Sequence, residues 1–312
     1  MSATTQTAAA PSIALAAPLA QRSPLTDTLR KLRRHRSFQV GLVLLTSLVL
    51  VAVFADLIAP FDPVKPLRDV KRRDVPCVHW LGCAPDLPEH LMGIDGNSRD
   101  LFSRVVFGAR LSLQIGFITT SFAIVIGSVF GALAGYAGGW LDNLIMRVMD
   151  VLLAFPSLLL AIAILSVLGP GLVNALLAIG IVAIPIYARL FRASVLTVKQ
   201  MEYVTAARAV GSPPLQLFWS HILPNSLTPI IVQGTLGIAT VILEAAALSF
   251  LGLGAEPPKP EWGLMLGEER NSVFNAPHLV FFPGIAIMLT VLSFNLLGDG
   301  LRDALDPRLR IG

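Results

Sequence analysis

The chain is a series of long stretches without charge, separated by short polar breaks. Ser37 to Ala55 carries no charged residue, nor does Leu111 to Leu141. Val151 to Ala188 runs 38 residues uncharged, and Ile222 to Leu243 and Asn271 to Gly298 complete the set. A bilayer core of about 30 Å takes roughly 20 apolar residues per helix. The 38-residue run is too long for one crossing and suits two, divided by the turn signal Gly169-Pro170-Gly171. The pattern predicts an all-α membrane protein with six spans, at 38–59, 111–136, 149–168, 172–190, 226–248 and 279–298. A reading as buried helices of a soluble protein fails, because too little polar sequence remains to cover six such runs.

Composition agrees. Apolar residues make up 54 % of the 312 and charged residues only 14 %, where a soluble domain is about a quarter charged. Residues 8–20 are small and apolar, but no Lys or Arg precedes them, so the basic region of a signal peptide is missing. Residues 1–37 read as a cytoplasmic tail, disordered at first. It ends in the basic cluster Arg30, Lys31, Arg33, Arg34 and Arg36 before the first span. Six spans then put the 191–225 segment and the 299–312 tail on the same cytoplasmic face, which carries the larger share of Lys and Arg. Lys65, Arg68, Lys71, Arg72 and Arg73 fall on the other face, in the loop 60–110, which is long enough to loosen the charge rule.

That outer loop holds Cys77 and Cys83. In an oxidising space they could form a disulfide. Free thiols, or a metal site with His79 and His90, are the alternatives, although no standard zinc spacing is met. Residues 97–110 (NSRDLFSRVVFGAR) read as a short interfacial helix capped by Asn97 or Ser98. Leu101, Phe102, Val105, Val106 and Ala109 form its apolar face, with Arg99, Asp100, Ser103, Arg104 and Arg110 largely opposite.

Residues 202–225 (EYVTAARAVGSPPLQLFWSHILPN) are the polar break between spans four and five. Met201 to Val210 is good helix material, and Gly211 supplies the left-handed residue that closes a helix. Ser212 can cap a second helix with Pro213 at its first position, and Pro224 ends it. Ala206, Ala207 and Gly211 leave one side nearly bare, flanked by Glu202 and Arg208. Such a patch lets another backbone come close. A plain hairpin resting on the membrane is the alternative.

This stretch resembles the EAA loop of ABC-importer permeases: Glu-Ala-Ala, three residues, Gly, nine residues, then Ile-x-Leu-Pro. Thr205-Ala206-Ala207, Gly211 and Leu223-Pro224 fall on register. Thr205 stands in place of the Glu, and His221 in place of the Ile. GIDGNSRDLFSRVVFGARLSL (93–113), LSFLGLGAEPPKPEWGLML (248–266) and FNLLGDGLRDALDPRLR (294–310) resemble further segments of the dipeptide, oligopeptide and nickel permeases, C-type subunit, with Ser98 replacing a usual Gly. The resemblance implies the type I importer architecture. It also implies a coupling role for Glu202, Thr205, Ala206, Ala207, Arg208, Gly211, His221 and Pro224 toward the ATP-binding subunits. Its expected partners are a homologous second permease, two ATP-binding subunits and an external substrate-binding protein, in contact with membrane lipid and no nucleic acid. Peptides are the expected cargo; glutathione, nickel chelates and oligosaccharides are alternatives within the same family.

No G-x-x-x-x-G-K-[ST] occurs, so no P-loop cradles a nucleotide. Nor does a G-x-S-x-G or H-E-x-x-H motif. The chain is expected to be no enzyme and to bind no cofactor or metal, with ATP and Mg used by the partner subunits. Glu244, near the outer end of span five, is the candidate intramembrane polar or gate residue. Pro156, Pro185, Pro229 and Pro283 lie within spans and can kink them. A rival class is a secondary transporter driven by an ion gradient, which would favour acids at midplane. Here Asp56, Asp150 and Glu244 lie in spans, all near ends.

Overall fold

A computed structural model describes residue 32, residues 35–84 and residues 88–305. The N-terminal tail, with Arg30, Lys31, Arg33 and Arg34, lies outside the described residues, as do residues 306–312. Among the described residues there is no strand, only isolated bridges at Cys77–His90 and Ile94–Asp100. The longer helices in order are α1 (Arg36–Val53), α2 (Leu101–Ala137), α3 (Gly139–Leu153), α4 (Ser157–Leu168), α5 (Leu172–Lys199), α6 (Glu202–Ala209), α7 (Thr228–Phe250), α8 (Trp262–Glu268) and α9 (His278–Leu305). Helices α1, α2, α5, α7 and α9 are each long and apolar enough to cross a membrane.

The expected third span is not one straight helix. α3 and α4 bend by 94° at the break between Leu153 and Ser157. Pro156 is the cause: it sits at φ −57° and ψ 131°, lacks an N–H, and pushes its predecessor out of the helical region. The other prolines behave differently. Pro185 and Pro283 lie inside continuous helices, and Pro229 sits in the first turn of α7, where no hydrogen bond is lost.

The core is built on close approach. α2 packs along α5 more extensively than any other helix pair. Gly127, Gly131 and Gly135, four residues apart, line the seam. A methyl at Gly127 would come 2.7 Å from the Ile184 carbonyl oxygen, and one at Gly135 3.0 Å from that of Arg192. Without a hydrophobic force between helices in lipid, such contact between backbones is what holds them. α1 packs on α9, where Gly41 meets Leu296 and Leu297, and Gly300 meets Phe38. The end of α1 is closed by Arg110, which donates to the Ala52 carbonyl at 2.9 Å and pairs with Asp56 at 2.9 Å.

The segment expected as an interfacial helix is instead the first turns of α2. Asp100, not Asn97 or Ser98, is the N-cap, accepting from the Ser103 N–H at 2.8 Å. The polar face expected to meet solvent is buried. Arg104 is fully enclosed, bonded to the carbonyl oxygens of Pro63 (3.0 Å) and Pro258 (3.2 Å) and paired with Glu268 (3.3 Å). Arg99 joins Asp95 at 2.6 Å and Glu268 at 3.0 Å, and Arg73 joins Glu269 at 3.0 Å. Arg99 and Arg104 can be buried because each finds an opposite charge on the 255–272 segment, which no helical wheel includes. Trp262 of α8 donates its indole N–H to the Val105 carbonyl at 3.0 Å, over Gly108. Glu261 caps α8, accepting from the N–H groups of Gly263 and Leu264. Burial pushes its carboxyl above the usual range, and those two donors oppose the shift.

Cys77 and Cys83 are joined as a disulfide, with Cα atoms 5.3 Å apart. Among the described residues no cluster of His, Cys, Asp or Glu is arranged to hold a metal ion. His90 instead bonds Asp100 at 3.0 Å.

Candidate functional site

The 199–226 segment leaves α5, turns twice and returns as α7. α6 ends in a left-handed Gly211, φ +89°. The Gly211 N–H donates to the Arg208 carbonyl at 3.0 Å and the Ser212 N–H to that of Ala207 at 3.1 Å. These two bonds form a Schellman cap, which satisfies carbonyls the helix end leaves open. Ser212 therefore closes the first helix and does not start the second. The second helix begins one residue later than expected, with Pro213 at its N-cap and Pro214 in its first turn.

Pro224 does not end that helix. The chain continues through a wide π-helical turn, Phe218–Ile222, into Leu223–Ser226. The Leu223 N–H reaches back five residues to the Phe218 carbonyl. Pro224 lacks an N–H and crowds the carbonyl four residues before it, so the turn widens to make room. A short-range rule that Pro stops helices misses this remedy.

The knuckle is fastened to three helices. Val204, Leu217 and Ile222 are buried with Phe191, Val195 and Val198 of α5. Tyr136, at the end of α2, donates its hydroxyl to the Pro214 carbonyl at 2.6 Å, and its ring lies 5.2 Å from that of Phe218. Lys199 donates to the Tyr136 carbonyl at 2.8 Å. Ser194 donates to the Ser226 carbonyl at 3.0 Å. Behind it, Arg192 of α5 grips Asp142 of α3 with two bonds of 2.5 and 2.6 Å, and Arg189 reaches Asp150 at 2.6 Å.

Of the residues singled out in the sequence, Glu202, Thr205, Ala206, Arg208, Gly211 and Pro224 are exposed, and Ala207 and His221 are half-buried. Ala207 packs inward with the Val204 cluster, so it does not share one bare patch with Ala206 and Gly211. The outward apolar surface comes from neighbours the motif does not name: Val210 is 88 % exposed and Leu215 69 %. His221 lies against the Tyr203 ring, centroids 6.4 Å apart, and its carbonyl accepts from Asn225 at 2.6 Å. Space beside Gly211 is open, with nothing within 4 Å of an added methyl. Among the described residues Glu202 and Arg208 make no ion pair.

Glu244 lies apart from the knuckle. It is half-buried on α7 and accepts from the Ser157 hydroxyl at 2.8 Å, at the start of α4. It thus joins α7 to the broken third crossing. The bend at Pro156 that places Ser157 there carries no signal of its partner in the sequence.

Long apolar helices packed through glycine seams, with a braced polar knuckle between two of them, define a multi-pass membrane protein. The chain belongs to the family of binding-protein-dependent transport system inner membrane components, which it matches over residues 127–311. Residues 23–74 match the N-terminal transmembrane domain of oligopeptide transport permease C. It is 48 % identical over 288 residues to a dipeptide transport system permease protein, DppC, of Alkalihalophilus pseudofirmus, covering 92 % of this chain and 91 % of the other. It is 45 % identical to the di/tripeptide permease DppC of Pseudomonas aeruginosa, covering 92 % and 93 %. It is 44 % identical to the glutathione permease GsiD of Pectobacterium atrosepticum, covering 93 % of each. The fold is similar to a chain of the MetNI methionine ABC transporter in an inward-facing state, with a TM-score of 0.55 at 20 % identity, over 65 % of this chain and 97 % of that one. The protein is a multi-pass inner-membrane permease of the ABC transporter class.

Proposed function

We propose that this permease forms half of the path of an ATP-driven peptide importer and is moved through its 202–225 knuckle. The observation that carries the proposal is the bracing: the knuckle is bonded to α2 at Tyr136 and to α5 through Ser194 and Ser226, Lys199 ties α5 to α2 beside it, and it leads directly into α7. A push on its outer surface is therefore delivered to three membrane helices as a rigid displacement. Val210 and Leu215, exposed on a knuckle that also carries Arg208, offer apolar groups for a protein partner to cover. The partner in this reading is a separate ATP-binding subunit, two per complex, using ATP and Mg. A second related permease completes the path, and an external binding protein delivers cargo. The termini and the knuckle face the cytoplasm. The peptide assignment rests on the relatives named for dipeptides; the relative named for glutathione supports that tripeptide as the second candidate.

The test is a reconstituted complex with its ATP-binding and substrate-binding companions. Gly211→Glu places a charged side chain at a left-handed residue on the outer surface of the knuckle. It should abolish ATP-dependent uptake of labelled dipeptide while the complex still assembles. Unchanged uptake would overturn the coupling role. Competition between dipeptide and glutathione in the same vesicles decides the cargo.

A further inference from the structure

A groove of about 760 Å³ runs between α5, the start of α7 and the end of α9. Among the described residues its polar groups are Ser194, Thr197, Asn225, Thr228, Gln233 and Arg302, and none is acidic. Ser194, Thr197 and Asn225 spend their donors on backbone carbonyls. Thr228, Gln233 and Arg302 do not: among the described residues no hydrogen bond or ion pair engages their side chains. A guanidinium, an amide and a hydroxyl thus share one groove with unused donors.

Acyl chains are poor occupants for such a wall, because polar groups in a membrane helix are costly against lipid and face water or protein instead. A cation with neighbouring donors and no acid is complementary to a carboxylate, which accepts from Arg in a charge-assisted, two-pronged contact. We infer that this groove is a water-filled binding site on the translocation path for the carboxylate of a small ligand, held by Arg302 with Gln233 and Thr228. The inference deepens the permease reading above and rests on it for the direction of passage. A short peptide carries such a carboxylate at its C-terminus.

Cysteine labelling in inside-out membrane vesicles holding the whole complex tests it. Cys77 and Cys83 are bonded to each other, so a Gln233→Cys variant offers one reactive thiol in this chain, which is read by its own labelled band. Thr228→Cys serves if that variant fails to assemble. Each is treated with a sulfonate and with a trimethylammonium methanethiosulfonate. Both reagents should react, and adding Arg302→Gln should lower the sulfonate-to-ammonium rate ratio about fivefold, as loss of one charge from the same partly wet groove implies. Dialanine should slow labelling more than dialanine amide does. A thiol inert to both reagents at both positions, or a ratio unmoved by Arg302→Gln, would overturn the site. Equal protection by the two probes, or none, would overturn the carboxylate assignment. Failure of right-side-out vesicles of the same complex to import any peptide, with the ratio still responding to Arg302→Gln, would sink the peptide cargo and leave the carboxylate site standing.

Discussion

Arg104 shows how much one side chain decides here. It is fully buried, and its guanidinium joins the 60–104 segment to the loop before α8 through Pro63, Pro258, Asp95 and Glu268. Arg104→Ala leaves Asp95 and Glu268 short of a counter-charge, and breaking a buried pair in this way costs about 3–5 kcal/mol. The expected outcome is a clear fall in the thermal aggregation midpoint of the detergent-purified chain; a midpoint equal to wild type would show that water screens the site. Glu244 makes a second residue-level case. In Glu244→Gln the amide oxygen still accepts from Ser157, so α4 and α7 stay joined while the charge is gone. Assembly should persist and uptake should fall. Uptake equal to wild type would leave Glu244 with a packing role alone. Neither partner set was visible in the sequence, because Arg104 meets residues more than 150 positions away. Arg104 lies one turn from Leu101 and is buried with it, so the polar stripe expected from the sequence does not face solvent at this position.

At the scale of the element, the seam between α2 and α5 depends on the absence of side chains. Gly131 meets the Ala188 carbonyl oxygen and the Phe191 Cβ, so no larger residue fits without separating the helices. Gly131→Leu should cost at least 1–3 kcal/mol, the usual penalty of overpacking, and more where the obstacle is backbone. Loss of the monodisperse peak on size exclusion is expected, and Gly138→Leu, at a turn with open space, is not its equivalent because φ there is +68°. Gly284→Leu, which meets nothing within 4 Å, is the proper control. The spacing of Gly127, Gly131 and Gly135 was readable in the sequence as a small-residue stripe, but not which helix it faces. The knuckle was legible differently. Its helix, Gly turn and second helix follow from propensity and the left-handed requirement at Gly211, while the π turn at Phe218–Ile222 does not, since it is a response to Pro224 within a packed surround.

For the whole molecule the decisive question is which way the knuckle faces. The proposal places residues 202–225 in the cytoplasm and the disulfide loop outside. Thr205→Cys, exposed on α6, should be labelled by a membrane-impermeant maleimide only in inside-out vesicles or after permeabilisation. Labelling in intact cells would invert the topology and remove the knuckle from reach of any cytosolic motor. The same measurement bears on Lys65, Arg68, Lys71, Arg72 and Arg73, whose basic character on the opposite face ran against the charge rule. Part of that charge is accounted for internally, as Arg73 pairs with Glu269.

The sequence alone determined that this chain lives in lipid, how many apolar runs it has, where its polar break falls, and that it lacks a nucleotide-binding loop. These are local facts: length of an uncharged run, a Gly that must be left-handed, a motif that is present or absent. Tertiary structure alone decided that the third run breaks by 94°, that the charges before α2 are buried, that Ala207 turns inward, and that Thr228, Gln233 and Arg302 share one groove. Each of those outcomes depends on what a distant segment brings to the same place, and no residue's own neighbours in the chain carry that information.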